Sequence, residues 1–319
     1  MSAAGQAPVS RESAQALLAG QNHRSRFVSL GRLDELRDEI ESQRRQGRLD
    51  QELDREYLSG FSFRPAEDFP EARSIIVIAT PDPLVRFHFR WQGETVAGMV
   101  PPTYLHGRRI NREIESLLNE HLRDSGHRVA PARLPRKLLA VRGGLARYGR
   151  NNITYVEGMG SFHRLAAFYS SLPCDSDDWR PAEMVERCRT CSACRQACPA
   201  GAIPEDRFLL HAERCLVFHN EKPARVPFPG WIQPSWHHCL VGCMICQQAC
   251  PENRQVLDFV REETVFSEEE TRLLLEGVEP DDLPAETAGK LRSADLADMT
   301  ELLPRNLRAL LNAKGRKRS

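Results

Sequence analysis

Cys188-Arg189-Thr190-Cys191-Ser192-Ala193-Cys194-Arg195-Gln196-Ala197-Cys198-Pro199 carries the spacing C-x2-C-x2-C-x3-C-P. Three thiolates three residues apart in a tight loop reach three corners of one iron-sulfur cubane. A fourth cysteine, set one residue further on, opens the next element and faces a second cluster. A second run, Cys243, Cys246 and Cys250-Pro251, repeats the C-x2-C-x3-C-P ending. Exchange of fourth ligands groups Cys188, Cys191, Cys194 and Cys250 around one [4Fe-4S] cluster, and Cys198, Cys243 and Cys246 with one remote cysteine around the other. Cys215 and Cys239 both stand in range as that remote ligand, and His237-His238 beside Cys239 admits a mixed set. Structural zinc sites instead present paired C-x2-C knuckles parted by longer loops, so three cysteines in succession speak for cubanes. Cys174 reads as a small buried hydrophobe.

The surrounding composition fits a reduced, metal-bearing chain. Its 319 residues exceed one typical domain, and 44 Lys+Arg against 44 Asp+Glu give no net charge, so no global field calls for nucleic acid or an anionic membrane. The longest apolar runs, such as Ile75 to Ala79, fall far short of a membrane span. Met1 to Arg26 lacks the charged-then-apolar layout of a secretory signal, which leads to a cytoplasmic expectation, and there thiols stay reduced and serve metals rather than disulfides.

Outward from the cysteines, the pattern predicts four units: a loosely packed lead-in over 1-26, an α/β domain over 27-180, the double-cluster domain over 181-258, and a helical C-terminal region over 259-319 with a basic tail, Lys314 to Arg318. The overall class is α+β. Ser74-Ile75-Ile76-Val77-Ile78-Ala79 predicts a buried central strand ended by Pro81 and Pro83. Ile110, Ile114, Leu117, Leu118 and Leu122 at helical spacing, with Gly126 after them, predict an amphipathic helix with a glycine cap. Phe162 to Ser170 reads as a strand re-entering the same sheet. Ser267-Glu268-Glu269-Glu270 opens a capping-box helix ending near Gly277.

Two clusters in one domain form a wire, and a wire needs a terminus. The domain placed before the clusters is the economical home for a second cofactor or a substrate. At this point the sequence resembles the epoxyqueuosine reductase family of cobalamin and iron-sulfur proteins, and more distantly the reductive dehalogenases. Gly144-Leu145-Ala146-Arg147-Tyr148-Gly149-Arg150-Asn151-Asn152 looks like the family's G-L-G-W-I-G-K-N-T, Gly160-Ser161-Phe162 like its G-S-W, Arg214-Cys215-Leu216 like its R-C-I, and Gly242-Cys243-Met244-Ile245-Cys246-Gln247 like its G-C-x-x-C-Q. The resemblance implies a nitroreductase-like N-terminal α/β domain, a bacterial ferredoxin-like double-cluster domain and Cys215 rather than Cys239 as ligand. It further implies cobalamin in the N-terminal domain, reached by electrons through both clusters, with Gly144, Arg147, Tyr148, Gly149, Asn151, Gly160, Ser161 and His163 as cofactor-binding positions.

Departures accompany the matches. The family's general acid, an aspartate fourteen residues before the matched glycine, is replaced by Ala130, and a methyl group cannot protonate a departing oxygen. Arg147, His163 and Arg164 stand where the family has apolar residues, and together with Arg150 they are candidates for binding an anion. The reading is an iron-sulfur oxidoreductase with an external low-potential electron donor, acting on a small molecule or protein other than epoxyqueuosine. The alternatives are an electron-transfer protein that reduces a partner such as a corrinoid protein, and a true epoxyqueuosine reductase acting on tRNA through another proton donor.

Overall fold

The computed structural model describes residues 9-315. In chain order it runs α1 (Arg11–Gly20), β1 (Arg24–Ser29), α2 (Leu33–Arg45), the one-turn α3 (Gln51–Leu53), β2 (Ser74–Pro81), β3 (Leu84–Trp91), β4 (Glu94–Val100), α4 (Gly107–Leu122), β5 (Val129–Pro131), α5 (Arg136–Arg142), β6 (Arg147–Tyr148), β7 (Thr154–Tyr155) and β8 (His163–Ser170). The cysteine-bearing stretch adds α6 (Ala193–Ala197), α7 (Leu216–Asn220) and α8 (Ile245–Gln248), followed by β9 (Val260–Phe266), α9 (Glu268–Glu276), α10 (Ala285–Ser293) and α11 (Leu303–Gly315). Helix and strand are mixed throughout. No helix among the described residues is long and apolar enough to cross a membrane.

Strand β2 sits inside a four-stranded sheet of order β1-β2-β8-β5. Its unbroken apolar run follows from covering on both faces. Ile75, Val77 and Ala79 pack with Leu138, Leu139 and Val141 of α5 and with Leu33 and Leu36 of α2, whereas Ile76 and Ile78 pack with Ala14 and Leu18 of α1 and Ile114, Leu118 and Leu122 of α4. The two-residue period of a strand sends alternate side chains to opposite cores. After α4 the chain leaves through one further short turn capped by Gly126 in the left-handed conformation. All three pairings in this sheet are antiparallel.

The lead-in also differs from expectation. Residues 11-20 are a helix, closed by a capping box between Ser10 and Ser13, with Ala14 and Leu18 fully buried against the sheet. Two buried positions in ten give too weak a stripe to signal a helix by period, yet they suffice once a sheet face lies beneath them. Residues 1-8 of that lead-in, and Arg316 to Arg318 of the basic tail, lie outside the described residues.

A second sheet redraws the domain boundaries. The hairpin β3-β4 turns through Gln92 and Gly93, both at positive φ, as a two-residue hairpin matching strand twist requires. Its other neighbour is β9, which lies parallel to β3 and arrives from the far side of the cysteine region. Val85, Phe87 and Phe89 of β3 share one core with Phe266 of β9 and with Leu274, Leu291, Leu307 and Leu310 of the last three helices. Residues 84-100 therefore belong with the C-terminal segment rather than with a single unit over 27-180, and that segment, expected to be helical, begins with a strand. The alternating apolar face of β3 is covered by those helices.

Candidate redox site

The cysteine loops are built on two matching turns. Helices α6 and α8 are each about one turn long, and each is followed by a cysteine in extended conformation before a proline, Cys198 at φ −73°, ψ 106° and Cys250 at φ −79°, ψ 123°. A residue preceding proline is excluded from helical conformation by the ring, so the helix must stop there and the fourth thiol swings out of its own loop. The thiols consequently sort across loops. Cys250 acts on Cys188 and Cys194, while Cys239, Cys215 and Cys198 act on Cys243, and Cys243, Cys215 and Cys194 act on Cys246, so thiols from different loops face one another.

Burial pushes the Cys194 and Cys215 thiols up to about 11, and drives Cys243 and Cys246 higher still, each helped by neighbouring thiols. Thiols packed this way stay protonated unless cationic iron compensates them, since a coordinating thiol is deprotonated outright. Among the described residues no three His, Cys, Asp or Glu side chains are arranged to hold a single metal ion. Instead, Cys188, Cys191, Cys194 and Cys250 line a chamber closed by Gly149, Arg150, Asn151 and Tyr155. Buried cysteine sulfurs around a shared hollow suit a cubane.

The N-terminal unit grips both loops through the segment 149-155. Arg150 donates from Nε to the Cys191 carbonyl (3.2 Å) and from Nη2 to the Cys188 carbonyl (2.6 Å). Asn151 donates from Nδ2 to the Tyr155 hydroxyl (3.1 Å) and approaches Cys246 Sγ at 3.7 Å, an amide dipole of the kind that tunes a cluster. Asn152, at φ 58°, donates to the Phe208 carbonyl (2.7 Å) and accepts from the Leu210 amide (2.6 Å). A side chain on Gly149 would place its Cβ 2.4 Å from the Tyr155 ring and 2.5 Å from Asn151 Oδ1, so this close approach admits glycine alone.

A second clamp joins Ser161 to the C-terminal loop. Asn253, fully buried, accepts from the Ser161 amide (2.9 Å) and donates to Ser161 Oγ and the Gln247 carbonyl (both 2.8 Å), while Ser161 Oγ donates to Gln247 Oε1 (2.8 Å). Gly160, at φ 52°, faces Asn253 Oδ1 with only 2.5 Å to spare for a Cβ.

Between the clamps lies a cavity of about 640 Å³, walled on one side by Cys198, Cys215, Cys243 and Cys246 and on the other by the N-terminal unit. Four of the sequence-derived cofactor positions, Tyr148, Asn151, Ser161 and His163, line it. The other four do not. Gly149 borders the first thiol chamber and Gly160 the Asn253 clamp. Gly144 turns the chain beyond α5 against Asp178 and Arg180, and Arg147 is half-exposed in an ion pair with Glu183 at 3.4 Å. Cys239 is buried beside Leu84, Phe162 and Met244, in an apolar cluster rather than on the cavity wall.

The anion-binding candidates are also committed elsewhere. His163 donates through Nδ1 to the Gly160 carbonyl (3.1 Å) and accepts at Nε2 from Thr154 (3.0 Å), and burial lowers it to about 4, so it is neutral. Arg164 donates to the Thr103 and Leu105 carbonyls and pairs with buried Asp82 at 3.5 Å. The charged groups that sequence reasoning missed are Arg136, Lys137 and Glu221, all on the cavity wall. Glu221 accepts from Tyr57 (3.2 Å) and Tyr104, and burial raises its carboxyl against their pull. Lys137 stands seven residues after Ala130, and nothing in its local sequence marks it as a cavity residue.

Residues 187-253 match the family described as 4Fe-4S double cluster binding domain. Among curated relatives, the epoxyqueuosine reductase of Synechococcus sp. strain CC9605 is 32% identical over 148 residues, covering 46% of this chain and 44% of that one. That of Gloeobacter violaceus is 28% identical over 194 residues, covering 58% and 57%. The chain thus spans about half the length of the curated relatives it matches. Among solved structures, epoxyqueuosine reductase from Streptococcus thermophilus superposes with a TM-score of 0.66 at 17% identity, covering 95% of this chain and 81% of that one. The Bacillus subtilis enzyme gives 0.64 at 22% identity, covering 94% and 81%. Another epoxyqueuosine reductase structure, at 0.64 and 19% identity with 94% and 81% covered, was determined with a tRNA stem loop. The chain is thus similar to epoxyqueuosine reductases over part of its sequence, has the fold of the solved ones, and matches a double [4Fe-4S] cluster binding domain over 187-253.

Proposed function

We propose that this chain is an iron-sulfur oxidoreductase in which Cys188, Cys191, Cys194 and Cys250 hold one [4Fe-4S] cluster, and Cys198, Cys215, Cys243 and Cys246 the other. Electrons from an external low-potential donor reach a cobalamin-type cofactor or a substrate in the cavity. The observation that carries this reading is the shared wall: four thiols of one set border a cofactor-sized space whose other side is the N-terminal unit. A corrin bound there would supply strongly reducing one-electron chemistry. The chain's own part is to hold and exclude. Arg150 and Asn151 fix the cluster loops, the Asn253 clamp fixes the floor, and Leu53, Leu58 and Phe61 screen the space from water.

The substrate differs from epoxyqueuosine in this reading, because Ala130 lies in β5, paired with Tyr169 and packed against the core, with no proton to give. The same alanine favours a second reading, a carrier that reduces a partner without chemistry of its own. Anaerobic protein should hold about eight irons per chain. Added hydroxocobalamin should raise the melting temperature and alter the visible spectrum, since a ligand of the native state stabilises it. Full iron with no response to cobalamin would favour the carrier, and zinc in place of iron would end both readings.

A further inference from the structure

Of 44 lysines and arginines in the sequence, five are lysines. Lys222 pairs with Glu52, Lys290 pairs with Glu270 and Glu286, and the side chains of Lys314 and Lys317 lie outside the described residues. Lys137 stands on the cavity wall without a hydrogen bond or ion pair among the described residues. The distinction between the two cations is chemical. Arginine keeps its proton at any working pH, whereas the ammonium of lysine shifts with its surroundings and can release one. A chain that uses arginine for almost every cation has one of its five lysines on the cavity wall.

The neighbours fit a proton-releasing role. Lys137 is exposed to the cavity, yet the protein packed around it lowers it, with Arg136 acting in the same direction, while Glu221, Cys215 and Cys246 oppose the change. His163, also near Lys137, is neutral and adds no charge. Glu221 is less suited, because both its oxygens already accept from tyrosine hydroxyls, which oppose the burial that raises its carboxyl. Tyr104 is raised well above its ordinary value, and Arg136 is tied to the Leu165 carbonyl at 3.2 Å.

We propose that Lys137 is the general acid of the cavity, giving its Nζ proton to an oxygen that departs from the bound substrate. This rests on the cavity being the place where electrons meet substrate. For a substrate R–O–R′ the step consumes two electrons, delivered one at a time by a low-potential iron-sulfur or flavin donor, and two protons. One C–O bond breaks, Lys137 loses N–H as the oxygen gains O–H, the second proton reaches carbon from solvent, and the neutral amine is recharged from solvent. The products are R–H and R′–OH. The carboxylic acid absent at Ala130 is thereby replaced by an ammonium on the next element, α5.

The test uses the anaerobic, cluster-loaded full chain pulsed with acetic anhydride from pH 6 to 11, with mass spectrometry reading each lysine. Lys137 should reach half-labelling at least one pH unit below Lys290, about a tenfold difference in acidity, and Glu221→Gln should lower it further. Lys137 titrating together with Lys290, or unmoved by Glu221→Gln, overturns the proposal. Saturating hydroxocobalamin separates the two ideas: shielding of Lys137 but not Lys290 supports the cavity as the cofactor site. Absence of shielding with an unchanged pH profile rejects that reading while leaving the acid in place. On any substrate that the wild-type chain reduces, Lys137→Arg should be as impaired as Lys137→Gln, by about 10²-fold or more. Recovery with arginine would show that charge alone suffices and would overturn the acid.

Discussion

Replacing Asn253 by alanine tests whether the N-terminal unit and the cysteine loops are one mechanical body. The side chain is fully buried and makes three hydrogen bonds, accepting from the Ser161 amide and donating to Ser161 Oγ and the Gln247 carbonyl. Each contributes about 1 kcal/mol net, and truncation leaves the Ser161 amide and Gln247 carbonyl without this partner inside the protein, so the total loss is about 3 kcal/mol. For a chain of this size each kcal/mol moves the melting temperature by about 2 °C, giving a fall of about 6 °C. Because Gln247 follows Cys246 and Asn253 follows Cys250 by three positions, the variant should also lose iron faster to a chelator. Circular dichroism melts and timed iron release under anaerobic conditions read both effects. A midpoint within 1 °C of wild type, with unchanged iron release, would refute the clamp.

Cys215→Ser should lose one cluster, about four irons, whereas Cys239→Ser should keep its full iron content; metal analysis beside the visible spectrum decides between them. His163 sits near 4 in the fold against an ordinary 6.5, so between those values the unfolded chain binds a proton that the folded chain refuses. Stability should therefore be complete above pH 6.5 and fall as pH drops toward 4, by up to about 3 kcal/mol, and His163→Gln should flatten that part of a denaturant-midpoint profile. Asn306, fully buried in α11, donates to the Asn220 and Leu240 carbonyls, both at 2.8 Å. Asn306→Ala should cost about 2 kcal/mol, read as an earlier denaturant midpoint, while Asn306→Asp should be no better because an ionised carboxylate cannot donate.

Local chemistry decided much of this protein in advance. The exchange of fourth cysteines is readable because proline constrains the residue before it, wherever the chain goes afterwards. Strand β2 is readable because eight residues suffice to show an apolar run, and α4 because its apolar stripe repeats within five turns. What folding alone supplied are the contacts between distant segments. Nothing near Val260 announces that it will lie beside Leu84, since parallel pairing is set by register across a long connection. Arg164 and His163 read as free cations in sequence, and only the tertiary structure shows that backbone carbonyls and Thr154 occupy them. Conversely, Lys137 has no local mark of its role. A side chain becomes a cavity cation only when the walls around it, drawn from β8, the segment after β4 and the cysteine loops, have closed and left it without a partner.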